Sequence, residues 1–438
     1  MSMHARWRWA AVSLLLTTVG CAHAGRPAPT CSTVASTTET REPVDLPVVQ
    51  RGSIIVASNR LPSLEEVAQA APLDDDHVYR ALTAQQAQCL AVERSSIAAL
   101  LDRERQALGA QYSAASEHLK ERVAPVVALQ QQILLDAAVE VRNREATAAL
   151  ERYFNLAGGE AKRRLLDQST SVLEAAEEQV GRLVDQGLKP EGAGEQLYQQ
   201  RLKNGEQQLE LEQTLASLTR GLNDQLDLGL GFEERIWPAV QLDVQLEMID
   251  RQAAVDAALA NNPQLVLLRN VERRMHGGNV EGVRGALQTV NPLLGASIPL
   301  PLCGLQTCLL KLQDDCSSEN ADAGYRKAQL RDWIASTERT VERDVLDAID
   351  ETQRRLRQIA VARQRLASWN EEIGRIGKRI PLGQDTFVDD AEANLERLRI
   401  ENDIVDHVVA WHVARVKVRA AQGRLVAECG YGSDSDCR

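Results

Sequence analysis

At 438 residues, the chain is long enough for two ordinary domains or for one elongated helical domain. Its aromatic content of 3% argues against a β-rich core, and its abundant Ala, Leu, Glu, Gln and Arg are typical of long helices. A net charge of −12 argues against nucleic acid as a partner, because phosphate binding needs a concentrated basic surface.

Residues 1–20 are predicted to be a lipoprotein signal peptide. Two arginines precede an apolar run, Trp9 to Leu16, that is too short to cross a bilayer. The following residues 18–21, Thr-Val-Gly-Cys, resemble a bacterial lipobox, which makes Cys21 the predicted lipid-attachment residue. Ordinary cleavage after Ala24 is the alternative. Because residues 25–60 are rich in Pro, Ser and Thr, the segment 21–60 is predicted to be a flexible tether.

From about Leu64, apolar residues recur at helical spacing almost to the end, with predicted breaks at Gly158-Gly159 and at 276–304. In the first half, one apolar seam enters the turn Gly187-Leu188-Lys189-Pro190 and a second seam leaves it. The entering seam comprises Leu166, Leu173, Val180 and Leu183, and the leaving seam comprises Leu202, Leu209, Leu211, Leu215, Leu218, Leu222 and Leu226. This pattern predicts an antiparallel helical hairpin.

The second half repeats this layout. A seam at spacings of three and four residues ends at Pro381, whose ring and missing N–H stop a helix, and Asp385 or Thr386 can cap the next helix. The entering seam comprises Leu366, Trp369, Ile373, Ile376 and Ile380, and the leaving seam comprises Val388, Ala391, Leu395, Leu398, Asn402, Val405, Val409, His412 and Val416. The basic run at 353–365 is interrupted by apolar residues at helical spacing, which favours a solvated flank over a binding patch.

The duplication sets the predicted organisation. Leu188 and Ile380 are separated by 192 positions, so we predict a first repeat at 61–232, a second repeat at 233–432 and a polar tail at 433–438. The predicted fold class is mainly α, with two tandem repeats of long antiparallel coiled-coil helical hairpins. Helices of about 30 to 45 residues would be roughly 45 to 65 Å long and would need packing partners.

Cysteines and histidines give weaker signals. Besides Cys21, seven cysteines remain, and the clusters Cys303, Cys308, Cys316 and Cys429, Cys437 favour local disulfides. Zinc binding is the alternative, although the sequence has no Cys-x-x-Cys pair near a histidine. His407 and His412 are spaced five residues apart and do not share a helix face, and His412 falls on the seam as a buried or interface histidine. With no catalytic motif, we predict a non-enzyme without cofactor or metal.

At this point the residues resemble a known family. The stretch 254–274, AVDAALANNPQLVLLRNVERR, is similar to the opening helix of a repeat in TolC-like outer-membrane efflux proteins. The stretch 383–403, GQDTFVDDAEANLERLRIEND, resembles the turn and return helix of that family, and 181–231 resembles a divergent first copy. With a lipobox in front, the order of parts resembles the lipoprotein members.

The resemblance implies a homotrimer whose hairpins form a periplasmic helical tunnel in a tripartite efflux or type I secretion system. Such a chain would sit at the periplasmic side of the cell outer membrane, lipid-anchored, with a periplasmic adaptor and an inner-membrane pump as partners. The tips implied to dock the adaptor are Gly187, Leu188, Lys189, Ile380, Pro381, Leu382 and Gly383. Asp385, Asp389 and Asp390 would lie near the aperture, where acidic rings favour cations; helix capping is the alternative for these aspartates.

One departure from the family concerns its outer-membrane strands. The first strand insertion should fall near 109–124, which is short, charged and helical in character. The second candidate, 293–313, is made awkward by Pro292, Pro299 and Pro301. We therefore expect little or no β-barrel. The alternative function is a barrel-less periplasmic lipoprotein acting as a coiled-coil scaffold or binding module, and a third interpretation is an unrelated coiled-coil tether.

Overall fold

The computed structural model describes residues 44, 46–49, 77–186, 192–245, 248–280, 315–382 and 386–431. Strand β1 (Val48–Val49) precedes the first repeat, in which strand β2 (Val78–Leu82) is followed by helices α1 (Ala84–Glu93) and α2 (Ser96–Ala114). The long helices α3 (Glu117–Asp185) and α4 (Ala193–Leu226) follow, and strand β3 (Glu234–Pro238) leads into the second repeat.

The second repeat has the same order of helices. Two short helices, α5 (Arg251–Asn261) and α6 (Pro263–Arg274), precede the long α7 (Asp315–Arg379). A 3-10 turn (Ile380–Leu382), the long α8 (Phe387–Ala421) and the short α9 (Arg424–Ala427) complete it. The prediction of a mainly helical fold with two hairpins is confirmed.

The four long helices form a row in which α4 packs on α3, α3 on α8 and α8 on α7. Paired contacts show that neighbouring helices run antiparallel, because residue numbers rise along one helix as those of their partners fall along the next. Arg163 meets Glu212 of α4 at 3.0 Å, and Lys162 meets Asp406 of α8 at 2.6 Å. With 69 and 65 residues, α3 and α7 are nearly twice as long as α4 and α8, so the predicted common length was wrong for them. At 1.5 Å per residue, α3 is roughly 100 Å long.

Gly158 and Gly159 lie inside α3 and do not break it, so the predicted break at this pair was wrong. A Cβ on Gly158 would lie 2.5 Å from Cγ2 of Val409 in α8. A Cβ on Gly159 would lie 2.7 Å from Cδ2 of Leu215 in α4. The pair therefore lets α3 approach the two helices on either side of it at the same level of the row.

In both repeats, a side chain at the junction of the two short helices donates a hydrogen bond to the end of the second long helix. In the first, the Arg94 guanidinium donates to the carbonyl of Asp227 at the end of α4. In the second, the Asn262 amide donates to the carbonyl of Ala421 at the end of α8, 3.1 Å away. Gly423 follows at φ 66°, and a Cβ there would meet the Asn261 carbonyl oxygen at 2.5 Å, so glycine is required.

The predicted seams are largely confirmed. The second-repeat seam residues are all buried or half-buried, including Ile376 and Leu398. In the first repeat, Leu215 and Leu222 are buried, but Leu202 and Leu209 are 47% and 75% exposed. Their assignment to the seam of the hairpin was wrong within this chain. Leu197 and the buried Asn204 take their places against α3, where Asn204 donates to Thr170 at 2.7 Å.

A three-stranded sheet was not predicted. β2 pairs with β1 antiparallel and with β3 parallel, so the sheet joins the starts of the two repeats. Val48–Val49 lies inside the predicted 21–60 tether, but here the chain is hydrogen-bonded to the sheet. Arg80 of β2 donates to Glu234 of β3 at 2.8 Å.

The stretch 109–124 is helical, as predicted. α2 ends at Ala114, Ser116 precedes α3, and α2 folds back along α3 with Arg142 paired to Asp102. The other candidate insertion, 293–313, lies outside the described residues. None of the helices in the described ranges is both long and apolar enough to cross a membrane.

A disulfide links Cys89 of α1 to Cys429, 340 residues away. The predicted local pairing was therefore wrong for Cys429. Cys21, Cys303, Cys308 and Cys437 lie outside the described residues. By joining α1 to the end of the second repeat, the disulfide adds a covalent link between the two repeats, of a kind that typically stabilises by about 2–4 kcal/mol.

The glycine pair gives a first prediction. We expect Gly158→Ala and Gly159→Ala to lower the free energy of unfolding by about 1–3 kcal/mol, because the new methyl overlaps a packed neighbour. Gly181→Ala is the matched control, since no atom of the described residues beyond its own stretch of helix lies within 4 Å of the position a Cβ would take. That variant should gain about 0.5–1 kcal/mol from helix propensity. Urea unfolding followed by circular dichroism measures all three, and a gain in the first two would contradict the packing role.

Candidate functional site

Both hairpin tips lie at the same end of the row. α3 ends at Asp185 and α4 begins at Ala193, while α7 ends at Arg379, two residues before Pro381, as predicted. Gln196 of α4 donates to Glu392 of α8 at 2.8 Å, which places the two tips side by side.

An apolar cluster beneath the tips holds this arrangement. Its buried residues come from α3, α4 and α8: Leu173, Ala176, Val180, Leu197 and Ala391. Half-buried Val388 and Leu395 pack against it. Because one cluster draws on three helices, the two tips are positioned as a unit.

Those predicted docking residues that the structure describes are at least partly accessible to solvent. Ile380 is half-buried, Pro381 is exposed, and Leu382 is 71% exposed. Gly187, Leu188, Lys189 and Gly383 lie outside the described residues, as does Asp385 of the predicted aperture.

Two further apolar side chains at the tips, Val184 and Phe387, are exposed, and the sequence analysis missed them. Both are apolar residues at positions just outside the apolar seams. That combination, visible in the sequence, could have identified them as exposed apolar side chains. Together with Leu382, they are exposed apolar side chains at the tips of the hairpins, and we refer to the three residues as the tip surface.

Asp389 acts as a helix cap. Its carboxylate accepts hydrogen bonds from the Thr386 hydroxyl and from the Thr386 backbone N–H, both at 2.7 Å. The Thr386 hydroxyl accepts in return from the Asp389 N–H, which completes a capping box. These hydrogen bonds from Thr386 hold the pKa of Asp389 below its ordinary value. Capping accounts for Asp389 through contacts within its own helix, and an aperture role for Asp389 and Asp390 stays a prediction.

The row has two edges, α4 and α7, which differ in shape. On α4, the exposed Leu202 and Leu209 line, with Gly205 between them, a groove of about 670 Å³ to which Arg163 and Asp167 of α3 also contribute. On α7, exposed small residues recur every seven positions, two helical turns apart, and so share one helix face: Ala360, Ala367 and Gly374. One edge therefore presents large apolar side chains and the other presents small ones.

The two edge stripes lie at similar heights. Leu202 and Leu209 are 9 and 16 residues after Ala193 at the start of α4, and Ala367 and Ala360 are 12 and 19 residues before Arg379 at the end of α7. At 1.5 Å per residue, the leucines lie roughly 15 and 25 Å from the tip end of α4, and the alanines roughly 20 and 30 Å from the tip end of α7.

His412 lies on the seam, as predicted, and is half-buried. Its ring stacks on Phe154 of α3 with centroids 4.6 Å apart. Burial lowers its pKa to about 4, with the nearby Arg415 acting in the same direction. His407 instead contacts Arg355 of α7, so the two histidines do occupy different faces of α8.

No protein-family model and no curated protein matches this sequence. Solved structures do match it. The chain is similar to CusC, whose structure is described in terms of folding and transmembrane channel formation, at 13% identity and a TM-score of 0.57, over 86% of this chain and 99% of CusC.

It is also similar to the Neisseria gonorrhoeae MtrE outer membrane channel, at 12% identity and a TM-score of 0.56, over 86% of this chain and 97% of that one. The Campylobacter jejuni CmeC outer membrane channel matches at 11% identity and a TM-score of 0.56, over 81% and 87% of the two chains. At this identity the matches show the fold: the chain has a TolC-like fold, as the resemblance implied.

His412 gives a prediction of pH dependence. Because its folded pKa of about 4 is below the unfolded value of 6.5, the unfolded state alone takes up the proton between these pH values. Stability should therefore fall as pH drops from 6.5 towards 4, by about 3 kcal/mol at most. The penalty is absent above pH 6.5.

Urea unfolding at pH 7.5, 6.0 and 4.5 checks this, with His412→Phe as the control that keeps a stacked ring. Burial raises the pKa of Asp136 and of Glu401, and these carboxyls act in the opposite sense, so the difference between the two proteins isolates His412. Parallel pH profiles for the wild type and the variant would contradict the assignment.

Proposed function

From the TolC-like fold, we propose that copies of this chain close into a periplasmic helical tunnel. The tunnel would serve as the outer-membrane-factor-like component of a tripartite efflux or type I secretion system. The observation that carries the proposal is the row of four antiparallel long helices, with both tips at one end and two complementary edges. The structures it resembles are described as outer membrane channels.

The edges support assembly with other copies. An apolar stripe on an exposed helix face needs a partner in water, and knobs of leucine fit between small residues of a facing helix. Because α4 starts at a tip and α7 ends at one, packing α7 of one copy on α4 of the next continues the antiparallel alternation of the row. The contact is head-to-tail, and repetition of such a contact gives a ring when the rotation closes. A trimer is the expected ring by analogy with the family.

The tip surface supports docking of a periplasmic adaptor. Val184, Leu382 and Phe387 are exposed at the tips of the two hairpins. Exposed apolar side chains of this kind can serve as the few anchor residues that, once buried, carry most of the binding energy of a protein interface. The lipid anchor at Cys21 and the inner-membrane pump belong to the same proposal.

A second candidate, a periplasmic scaffold lipoprotein, is favoured by one observation. Residues 109–124, where the resemblance would place outer-membrane strands, are helical. Single-channel recording of the purified trimer in planar bilayers separates the two: discrete conductance steps support the tunnel, and a stable trimer without conductance supports the scaffold.

We predict that Leu209→Lys reduces assembly at least about tenfold, because it places a charge in an apolar contact. Native mass measurement of the chain extracted in mild detergent should then shift from trimer to monomer. Leu100→Lys is the control, since Leu100 is also exposed but lies on α2, away from both edges.

The pairing of α4 with α7 is tested by a second substitution. Ala360→Glu alone should also weaken the trimer, whereas Leu209→Lys combined with Ala360→Glu should restore part of it through an ion pair between copies. A combined variant no better than either single variant would reject this pairing, even if the wild type is a trimer.

For the tip surface, we predict that Leu382→Asp weakens adaptor binding at least about tenfold while the melting temperature changes by less than about 2 °C. Leu382 is largely exposed, so the substitution removes a docking contact and little of the core. Biolayer interferometry with the purified periplasmic adaptors of the host cell measures the affinity, and Leu119→Asp, far from the tips, is the control. Equal losses in both variants would argue against tip docking.

A further inference from the structure

Away from the edges and tips, an open groove of about 600 Å³ lies where α7, α8 and the start of α5 meet. Four arginines line it, Arg251, Arg354, Arg357 and Arg365, with two aspartates, Asp350 and Asp403. The lining therefore has an excess of two positive charges in a chain whose net charge is −12. Three of these arginines belong to the basic run at 353–365, which the sequence pattern alone assigns to a solvated flank.

The arginines of the groove differ in how closely they are already paired with carboxylates of the protein. Arg251 is paired with Asp350, and Arg354 with Glu351. Arg365 is held only by longer contacts, 3.5 Å from Glu396 and 3.8 Å from Asp403.

Arg357 makes no hydrogen bond or ion pair with the residues that the structure describes. Its guanidinium thus offers several donors at the wall of the groove, and a planar fork of this kind matches a carboxylate or phosphate group.

His407 adds a donor to the same groove. The Arg355 guanidinium lies 3.2 Å from Nδ1 of His407, and because a guanidinium only donates, Nδ1 must accept. The neutral ring therefore carries its proton on Nε2. Burial lowers the pKa of His407, and Arg355 acts in the same direction, which favours this neutral form.

The groove also has an apolar part. Val361 is 57% exposed and lies between Arg357 and Arg365, one helical turn from each, with buried Ala362 beside it. A small inorganic anion would satisfy the arginines and leave Val361 in water. An anion with an apolar body would cover both.

We propose that this groove binds small organic anions in which a carboxylate or phosphate group is attached to an apolar body. The anionic group pairs with Arg357 and Arg365, the His407 Nε2–H donates to it, and the apolar body covers Val361. The groove lies on the face of the row and not on the α4 or α7 edge stripes. The proposal therefore holds whether or not the chains close into a tunnel.

The test is isothermal titration calorimetry on the full chain in a nonionic detergent at low salt. The probes are phenyl phosphate, benzoate, inorganic phosphate and benzyltrimethylammonium. We expect the two organic anions to bind at one site per chain, inorganic phosphate to bind more weakly and the cation not to bind. A cation that binds equally, inorganic phosphate that binds as tightly as phenyl phosphate, or no binding at all would overturn the proposal.

Variants locate the site. Arg357→Gln should weaken both organic anions at least about fivefold, consistent with the loss of a charge-assisted hydrogen bond. Arg339→Gln is the matched control, because Arg339 is exposed on the same helix and, among the described residues, bonds only to the Ala335 carbonyl of its own turn. Val361→Ser should weaken the organic anions and leave inorganic phosphate unchanged. Unchanged affinity in Arg357→Gln, or an equal loss in Arg339→Gln, would show that the anions do not bind in this groove.

Discussion

The close packing of α3 against α8 is the contact on which the rest of the row depends. It joins the hairpin of the first repeat to that of the second, and it is possible because Gly158 carries no side chain where α3 meets Val409 of α8. Gly159 in the same way allows α3 to approach Leu215 of α4. With α3 and α8 in the middle, α4 and α7 necessarily become the edges. The side-by-side tips, the differing edge stripes and the groove beside α8 all follow from that order.

Patterns that reflect contacts inside one hairpin could be predicted from the sequence. The seam through Ile376 and Leu398, the stop at Pro381 and the cap at Thr386 all depend on residues close along the chain or at heptad spacing. Leu202 and Leu209 show where this reasoning ends. Heptad spacing indicates that a helix face will be covered, but it does not indicate whether the partner belongs to the same chain.

The features that were missed depend on residues far apart in sequence. The glycine pair suggested a break because glycine has low helix propensity, and only the neighbouring helices explain its presence. Cys89 and Cys429 meet because the two repeat ends meet, which no local spacing of cysteines records. β1 and β3 are too short, at two and five residues, to show an alternating pattern. At the tips, the sequence allows both capping and an aperture role for Asp389; the reciprocal bonds with Thr386 show the cap, and the aperture role stays a prediction.

The difference between the two edges constrains how copies can associate. A twofold dimer pairs identical surfaces, and pairing α4 with α4 would set leucine against leucine while leaving both α7 stripes uncovered. Pairing α4 with α7 places each leucine at a height similar to that of a small residue and leaves only the outermost edges free. Any open assembly still exposes one leucine stripe at its end, so covering every stripe requires a closed ring. Because each copy contributes four helices, an even number, a ring of any number of copies keeps every helix antiparallel to both neighbours. The alternation of direction therefore does not determine how many copies form the ring. In the proposed ring, that number would come from the angle at which α7 of one copy meets α4 of the next.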